Sequence, residues 1–85
     1  MNKYIIFGIH ITDRQKAAVC VQEVLTEYGC NIKTRLGLHE IDTNVNSSSG
    51  LILLEMCGDK DAIDSAASKL EAIDGVDMKT MEFPL

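Results

Sequence analysis

The sequence predicts an α+β domain in which two strand–helix–strand units share one antiparallel sheet. The first observation is the stretch 11–32, ITDRQKAAVCVQEVLTEYGCNI, which has the pattern of a strand end, a capped helix, a glycine stop and a second strand. The second observation is that the same pattern returns over residues 58–78. Because 85 residues suffice for one domain only, residues 1–85 are expected to form a single domain with one core.

The first strand is predicted over residues 3–11, KYIIFGIHI, from its β-branched and aromatic content. Its odd-numbered positions, from Ile5 to Ile11, are all apolar and should face the helices. A helix follows over residues 13–28, where Thr12 and Gln15 have the spacing of a capping box. Its apolar stripe has the spacing of a helix lying on a sheet, and it consists of Ala17, Val21, Val24, Leu25 and Tyr28.

Gly29 is predicted to end the first helix in the left-handed conformation. The second strand is predicted within residues 30–41, with Ile32, Leu36 and Leu38 on its protected face. Residues 42–50 are small and polar and are expected to form an exposed loop.

The third strand is predicted over residues 51–57, and Asp59 is placed to cap the second helix. The buried stripe of that helix consists of Ile63, Ala66, Ala67, Leu70 and Ile73. After Gly75, residues 76–83 give the fourth strand. Short connections and right-handed crossovers then favour the ferredoxin-like βαββαβ sandwich, with strand order 4-1-3-2 and both helices on one face of the sheet.

The face of the sheet away from the helices is expected to be unusually apolar. Its strongest candidates for contacts between subunits are Ile6, Leu51, Leu53, Met81 and Phe83. A monomer would leave these side chains in water as one patch, and such patches usually mark an interface. We therefore expect a homo-oligomer, a dimer or a tetramer; the alternative is an apolar face that stays exposed. On the same face, Arg35 is predicted to pair with Glu55 across the second and third strands.

Composition excludes several classes of function. The net charge is −5 and the eight basic residues are scattered, which argues against direct binding of nucleic acid or an anionic membrane. No segment has the roughly 18 apolar residues of a membrane span or the pattern of a signal peptide. Three cysteines without CxxC spacing favour free thiols, so we expect a cytoplasmic protein with no membrane contact.

No catalytic group is evident from the residues, and no cofactor is expected. Glu55 has no second carboxylate or histidine placed beside it for acid–base chemistry. His10 and His39 are weak metal candidates, because they fall near the same end of the open face but about 9–10 Å apart across the third strand. Without HxH or CxxC spacing, a metal site is not expected.

The turn of Thr12, Asp13, Arg14 and Gln15 is the candidate ligand loop. It joins the first strand to the first helix, where helix amides and an arginine side chain converge. Such a turn can hold a small carboxylate or a partner's backbone. The alternative is a helix cap with a solvated arginine.

The stretch 11–32 resembles the first unit of ACT domains, which are small ligand-sensing regulatory modules. The residues that carry the resemblance are Asp13, Arg14, Gly29, Asn31 and Ile32. Lys16 stands where those domains have a glycine that lets an amino-acid ligand approach the backbone. The resemblance implies sensing of an amino acid or carboxylate where two subunits meet.

Nearly the whole chain is similar to the iron-only hydrogenase system regulators, a family of small stand-alone ACT-like proteins. The matching segments are the apolar first strand, the Asp13-Arg14 turn, IKTRLGL, GLILLEMCGDKDAI and LEAIDGVDMKTM. This resemblance implies a non-enzymatic regulator that acts as a homo-oligomer and has a possible protein partner. A related architecture is the sensor domain of the nickel-responsive repressor, whose HxH motif is absent from this sequence; metal sensing is the third alternative.

Overall fold

The computed structural model describes residues 3–12, 14–38 and 50–85, and the side chains of all of these except residues 14–16 and 38. Six main elements follow one another in the order predicted. They are β1 (Lys3–Ile11), α1 (Arg14–Glu27), β2 (Ile32–Leu38), β3 (Gly50–Met56), α2 (Lys60–Glu71) and β4 (Val76–Pro84). A short 3-10 helix, Gly29–Asn31, connects α1 to β2.

The four strands form one antiparallel sheet in the order β2-β3-β1-β4. Read from the other edge, this is the predicted order 4-1-3-2, so the ferredoxin-like α+β fold is confirmed. β1 lies at the centre, paired with β3 on one side and with β4 on the other. β1 and β3 are therefore the two interior strands, each paired along both of its backbone edges.

One core joins the sheet to both helices. On β1 the alternate residues Ile5, Phe7, Ile9 and Ile11 are buried, as their spacing predicts. They pack in a single cluster with the apolar stripes of both helices, whose buried members are Ala17, Val21, Leu25, Ile63, Ala66 and Leu70. Because one face of β1 meets both stripes, the two helices cover the same side of the sheet and leave the other side uncovered.

At the ends of the helices two predictions are wrong, the cap at Asp59 and the left-handed stop at Gly29, and Thr12 makes a contact that is not predicted. The Thr12 hydroxyl donates to the carbonyl of Gly75 at 3.0 Å, and the Thr12 amide donates to the same oxygen at 2.7 Å. Thr12 thus ties the end of β1 to the start of β4. The predicted capping box also needs the side chain of Gln15, which lies outside the described side chains, so it stays a prediction. Asp59 occupies the cap position of α2, but its side chain makes no capping hydrogen bond.

Gly29 does not adopt the predicted left-handed conformation. Among the described residues, positive φ angles occur only at Gly58 and Gly75. The chain instead continues in a right-handed sense after α1, because the amide of Asn31 bonds to the carbonyl of Tyr28 at 2.8 Å and closes a 3-10 turn.

A β-bulge in β2 changes which residues face the helices. Ile32 lies opposite Met56, but Thr34, rather than Lys33, lies opposite Glu55. Lys33 is therefore the extra residue, and beyond it the side chains alternate in the opposite sense to the prediction. The predicted loop, residues 42–50, lies outside the described residues except for Gly50, which begins β3.

Candidate functional site

The uncovered face of the sheet is formed by rows of residues that lie directly opposite one another on neighbouring strands. One row contains Thr34, Glu55, Ile6 and Met81, and the next contains Leu36, Leu53, Gly8 and Lys79. Tyr4 and Phe83 extend this surface at one end, and Leu51, His10 and Asp77 extend it at the other. We call this surface the open face.

The apolar side chains of the open face are strongly exposed. Four of them keep about half of their surface in water: Tyr4 (50%), Leu36 (51%), Met81 (48%) and Phe83 (49%). Leu51 is 36% exposed, and Ile6 and Leu53 are half-buried between their neighbours. The five residues predicted to make contacts between subunits therefore lie on this face. They are neighbours on three adjacent strands: Ile6 on β1, Leu51 and Leu53 on β3, and Met81 and Phe83 on β4.

Charged side chains on the described part of the open face are balanced. Lys33 reaches Glu55 with its Nζ atom 3.8 Å from Oε2, and the Thr34 hydroxyl donates to the other carboxylate oxygen of Glu55 at 3.2 Å. Near the opposite edge, Lys79 lies 3.6 Å from Asp77. Two lysines thus face two acids, although the whole chain carries a net charge of −5.

The predicted pair between Arg35 and Glu55 is wrong. Arg35 lies opposite Leu54, a core residue, and so belongs to the helix-facing side of the sheet. The bulge at Lys33 is the physical reason, because one extra residue moves every following side chain to the other face. For the same reason Leu36, which is predicted on the protected side, joins the open face. No signal in the sequence marks this bulge.

The candidate ligand loop is only partly visible. Thr12 lies at the end of β1, where both of its donors bond to Gly75, and Asp13 lies outside the described residues. Arg14 and Gln15 form the first turn of α1 by their backbone. Whether these residues bind a ligand therefore stays a prediction.

Only one of the two weak metal candidates, His10, lies among the described residues. His10 is exposed on the open face, opposite Leu51 and Asp77, and His39 lies outside the described residues. Within residues 3–12, 14–38 and 50–85, no group of three or more His, Cys, Asp or Glu side chains could hold a metal ion.

The three cysteines are free, as predicted. Cys20 is exposed on α1, and Cys57 is half-buried with its sulfur 3.9 Å from the carbonyl of Cys30. In the parts of the chain that are described, no helix has the length and apolar character needed to cross a membrane.

Solved structures similar to this chain include both a protein of similar sequence and proteins that share its fold alone. The uncharacterized protein TM1266 from Thermotoga maritima is 31% identical, with a TM-score of 0.80 over 94% of this chain and 96% of that one. SnoaB, a cofactor-independent oxygenase from Streptomyces nogalater, is 12% identical, with a TM-score of 0.59 over 100% of this chain and 94% of that one.

A formyltetrahydrofolate deformylase from Pseudomonas putida is 16% identical, with a TM-score of 0.57 over 92% of this chain but only 28% of its own. At such identities these two enzymes share the fold alone. No curated protein matches the sequence. A family model does match residues 3–80, under the description "Iron-only hydrogenase system regulator, putative". Because this match spans most of the chain, the protein belongs to the TM1266-like family.

Proposed function

We propose that this protein is a non-enzymatic regulator of an iron-only hydrogenase system and that it acts as a homo-oligomer built through its open face. The description of its family supports the regulatory role. The observation that carries the oligomer is the exposure of apolar side chains on the side of the sheet that the helices leave uncovered. Contiguous apolar surface of this kind is typical of interaction sites.

Burial in the core supports a role without an enclosed active site. Among the described residues every buried side chain is apolar, and the polar and charged side chains lie at the surface. Enzyme sites usually keep a few polar groups in a concave apolar pocket, where burial shifts their pKa values. The open face, by contrast, is a broad surface formed by strands and rich in exposed apolar side chains, which suits protein association.

The charges of the open face favour a second copy of the same chain as the occupant. Two copies with a net charge of −5 each repel one another at long range. On the open face, however, Lys33 and Lys79 balance Glu55 and Asp77. Two such faces can meet without burying an excess of one sign, because each lysine already lies within 4 Å of an acid on its own chain.

The mass of the protein in solution tests this proposal. Sedimentation equilibrium or light scattering at micromolar concentration should give a multiple of the single-chain mass. Met81→Glu, which places a charge on the open face, should lower that mass towards one chain. Val19→Glu is the matched control, because Val19 is 63% exposed on α1 and lies away from the sheet. A wild-type protein with the mass of one chain would contradict the oligomer.

The regulatory role needs a separate test in the native host. Deletion of the gene should change the amount or the activity of the hydrogenase, and a plasmid copy should restore it. A copy carrying Met81→Glu should fail to restore it if the oligomer is the active form, whereas Val19→Glu should succeed. An unchanged hydrogenase in the deletion strain would contradict the role.

Ligand sensing at the turn after β1 is the second candidate. The observation that favours it is the double hydrogen bond from Thr12 to Gly75, which fixes the end of β1 where α1 begins. A fixed helix start holds its free amides in place for a small carboxylate. A panel of amino acids in a thermal unfolding assay tests this candidate, since a ligand of the native state raises the unfolding temperature. No shift with any member would count against it.

A further inference from the structure

Gly8 lies at the centre of the open face, yet the fold of a single chain does not require a glycine there. Its φ angle is not positive, so its backbone conformation is open to any residue. A Cβ atom built on Gly8 would have Leu53 Cδ2 at 3.7 Å and the Lys79 carbonyl oxygen at 3.9 Å as its nearest neighbours. These are ordinary van der Waals distances, so neither backbone strain nor crowding explains the residue.

A glycine in the middle of a strand weakens that strand, because it adds backbone entropy to the unfolded chain and contributes no packing. β1 is one of the two interior strands of the sheet, so this loss affects its pairing on both sides. Because Gly8 has no side chain, we expect a shallow depression at this point of the open face, flanked by Leu53 and Lys79 across the sheet and by Ile6 and His10 along the strand. Strand glycines of this kind often mark close approach by another molecule.

We propose that this depression receives an apolar side chain from the open face of a second copy, so that Gly8 determines how two copies fit together. The inference rests on the proposed homo-oligomer and names the position that controls its packing. Ile6 and Leu53 lie beside the depression and are half-buried. Their apolar side chains can contact the incoming side chain from two sides. The balanced charges around it point to a second copy of this chain.

Gly8→Ala and Gly8→Val test this inference against the matched variants Gly37→Ala and Gly37→Val. Gly37 also lies within a strand, has no positive φ, and has open space where a Cβ would lie. It pairs with Ile52, however, and so belongs to the helix-facing side of the sheet. Overfilling a packed site costs about 1–3 kcal/mol, so the Gly8 variants should raise the dissociation constant about five- to hundredfold. The Gly37 variants should leave it unchanged.

The measurements are sedimentation equilibrium for association and thermal unfolding at a concentration where every variant is a monomer. Weaker association of the Gly8 variants, with a monomer stability equal to or above that of the wild type, supports the inference. If the wild type associates and the Gly8 variants associate equally well, the inference is overturned while the proposed oligomer stands. If Gly8→Ala lowers monomer stability more than Gly37→Ala, the glycine serves the fold and the inference is also overturned. A wild type that never associates overturns both.

Discussion

Thr34 lies directly opposite Glu55 in the sheet, and its hydroxyl donates to the carboxylate at 3.2 Å. Strict alternation along β2 would place both Lys33 and Arg35 on the same face of the sheet as Glu55. In the structure Lys33, the bulged residue, forms an ion pair with Glu55, whereas Arg35 lies on the other face. The consequence extends beyond this pair, since the same shift puts Leu36 opposite Leu53 on the open face. One inserted residue thus enlarges the apolar surface at the β2 edge.

Replacement of Leu36 by serine should weaken self-association. Full burial of a leucine side chain is worth about 1.5–3 kcal/mol, and about half of the surface of Leu36 is already covered in the single chain. Burial of the remaining half corresponds to roughly a three- to tenfold change in the dissociation constant. Arg35→Ser is the control, because the neighbouring residue lies on the helix-facing side. Sedimentation equilibrium measures both variants. Sensitivity at Arg35 rather than at Leu36 would mean that the bulge is absent in solution.

Truncation of Ile9 should destabilise the chain in proportion to the volume removed. Ile9 is fully buried at the centre of β1, so Ile9→Val should cost about 0.5–1.5 kcal/mol of unfolding free energy and Ile9→Ala about 2–5 kcal/mol. Val19→Ala, at an exposed helical position, should stay within about 0.5 kcal/mol of the wild type. Urea denaturation measures all three. Equal costs at Ile9 and Val19 would contradict the packing described.

Gly58→Ala should destabilise the turn between β3 and α2. Gly58 has a φ of +90°, and an added Cβ would lie 2.9 Å from Asn31 Nδ2, which donates to the Cys57 carbonyl at 3.0 Å. The left-handed backbone costs about 1–2 kcal/mol, and loss of the hydrogen bond adds about 0.5–1.5 kcal/mol. In an Asn31→Ala background the hydrogen bond is already absent, so Gly58→Ala should cost only the strain of the left-handed backbone. Chemical denaturation measures the free energy of unfolding in both backgrounds. Equal costs in both backgrounds would contradict the contact.

The pKa of Lys60 should lie above its ordinary value of 10.5. The hydrogen bond from Lys60 to Asp64, 2.6 Å long, is the main cause, and Glu82 and Asp61 add smaller electrostatic contributions. Because the folded-state pKa is raised, this contribution to stability is present below pH 10.5 and is lost as the pH rises through the folded-state pKa. It should be small, since Lys60 is exposed.

Asp64→Asn tests the assignment by nuclear magnetic resonance titration of the lysine side chains. The variant should lower the pKa of Lys60. It should leave Lys69 unchanged, because the pKa of Lys69 is raised mainly by its hydrogen bond to Glu27. A Lys60 pKa that does not move would show that the pair does not form in solution.

Local pattern was enough to predict most of the fold. The alternation from Ile5 to Ile11 and the stripe that contains Val21 and Leu25 each reflect a strand or helix with one buried side, and the structure confirms both. Contacts with distant partners could not be predicted in this way. The hydrogen bond from the Thr12 hydroxyl to Gly75, 63 positions along the chain, has no counterpart in the local sequence pattern.

The sequence by itself determined the two strand–helix–strand units, their order in the sheet and the apolar character of the side without helices. These properties follow from side-chain periodicity and short connections, which act within a few residues or a single crossover. Only the tertiary structure decided which residues of β2 share that side, because the bulge at Lys33 arises from pairing with β3. A shift of one residue reverses the direction of every later side chain, and no local preference in β2 specifies it.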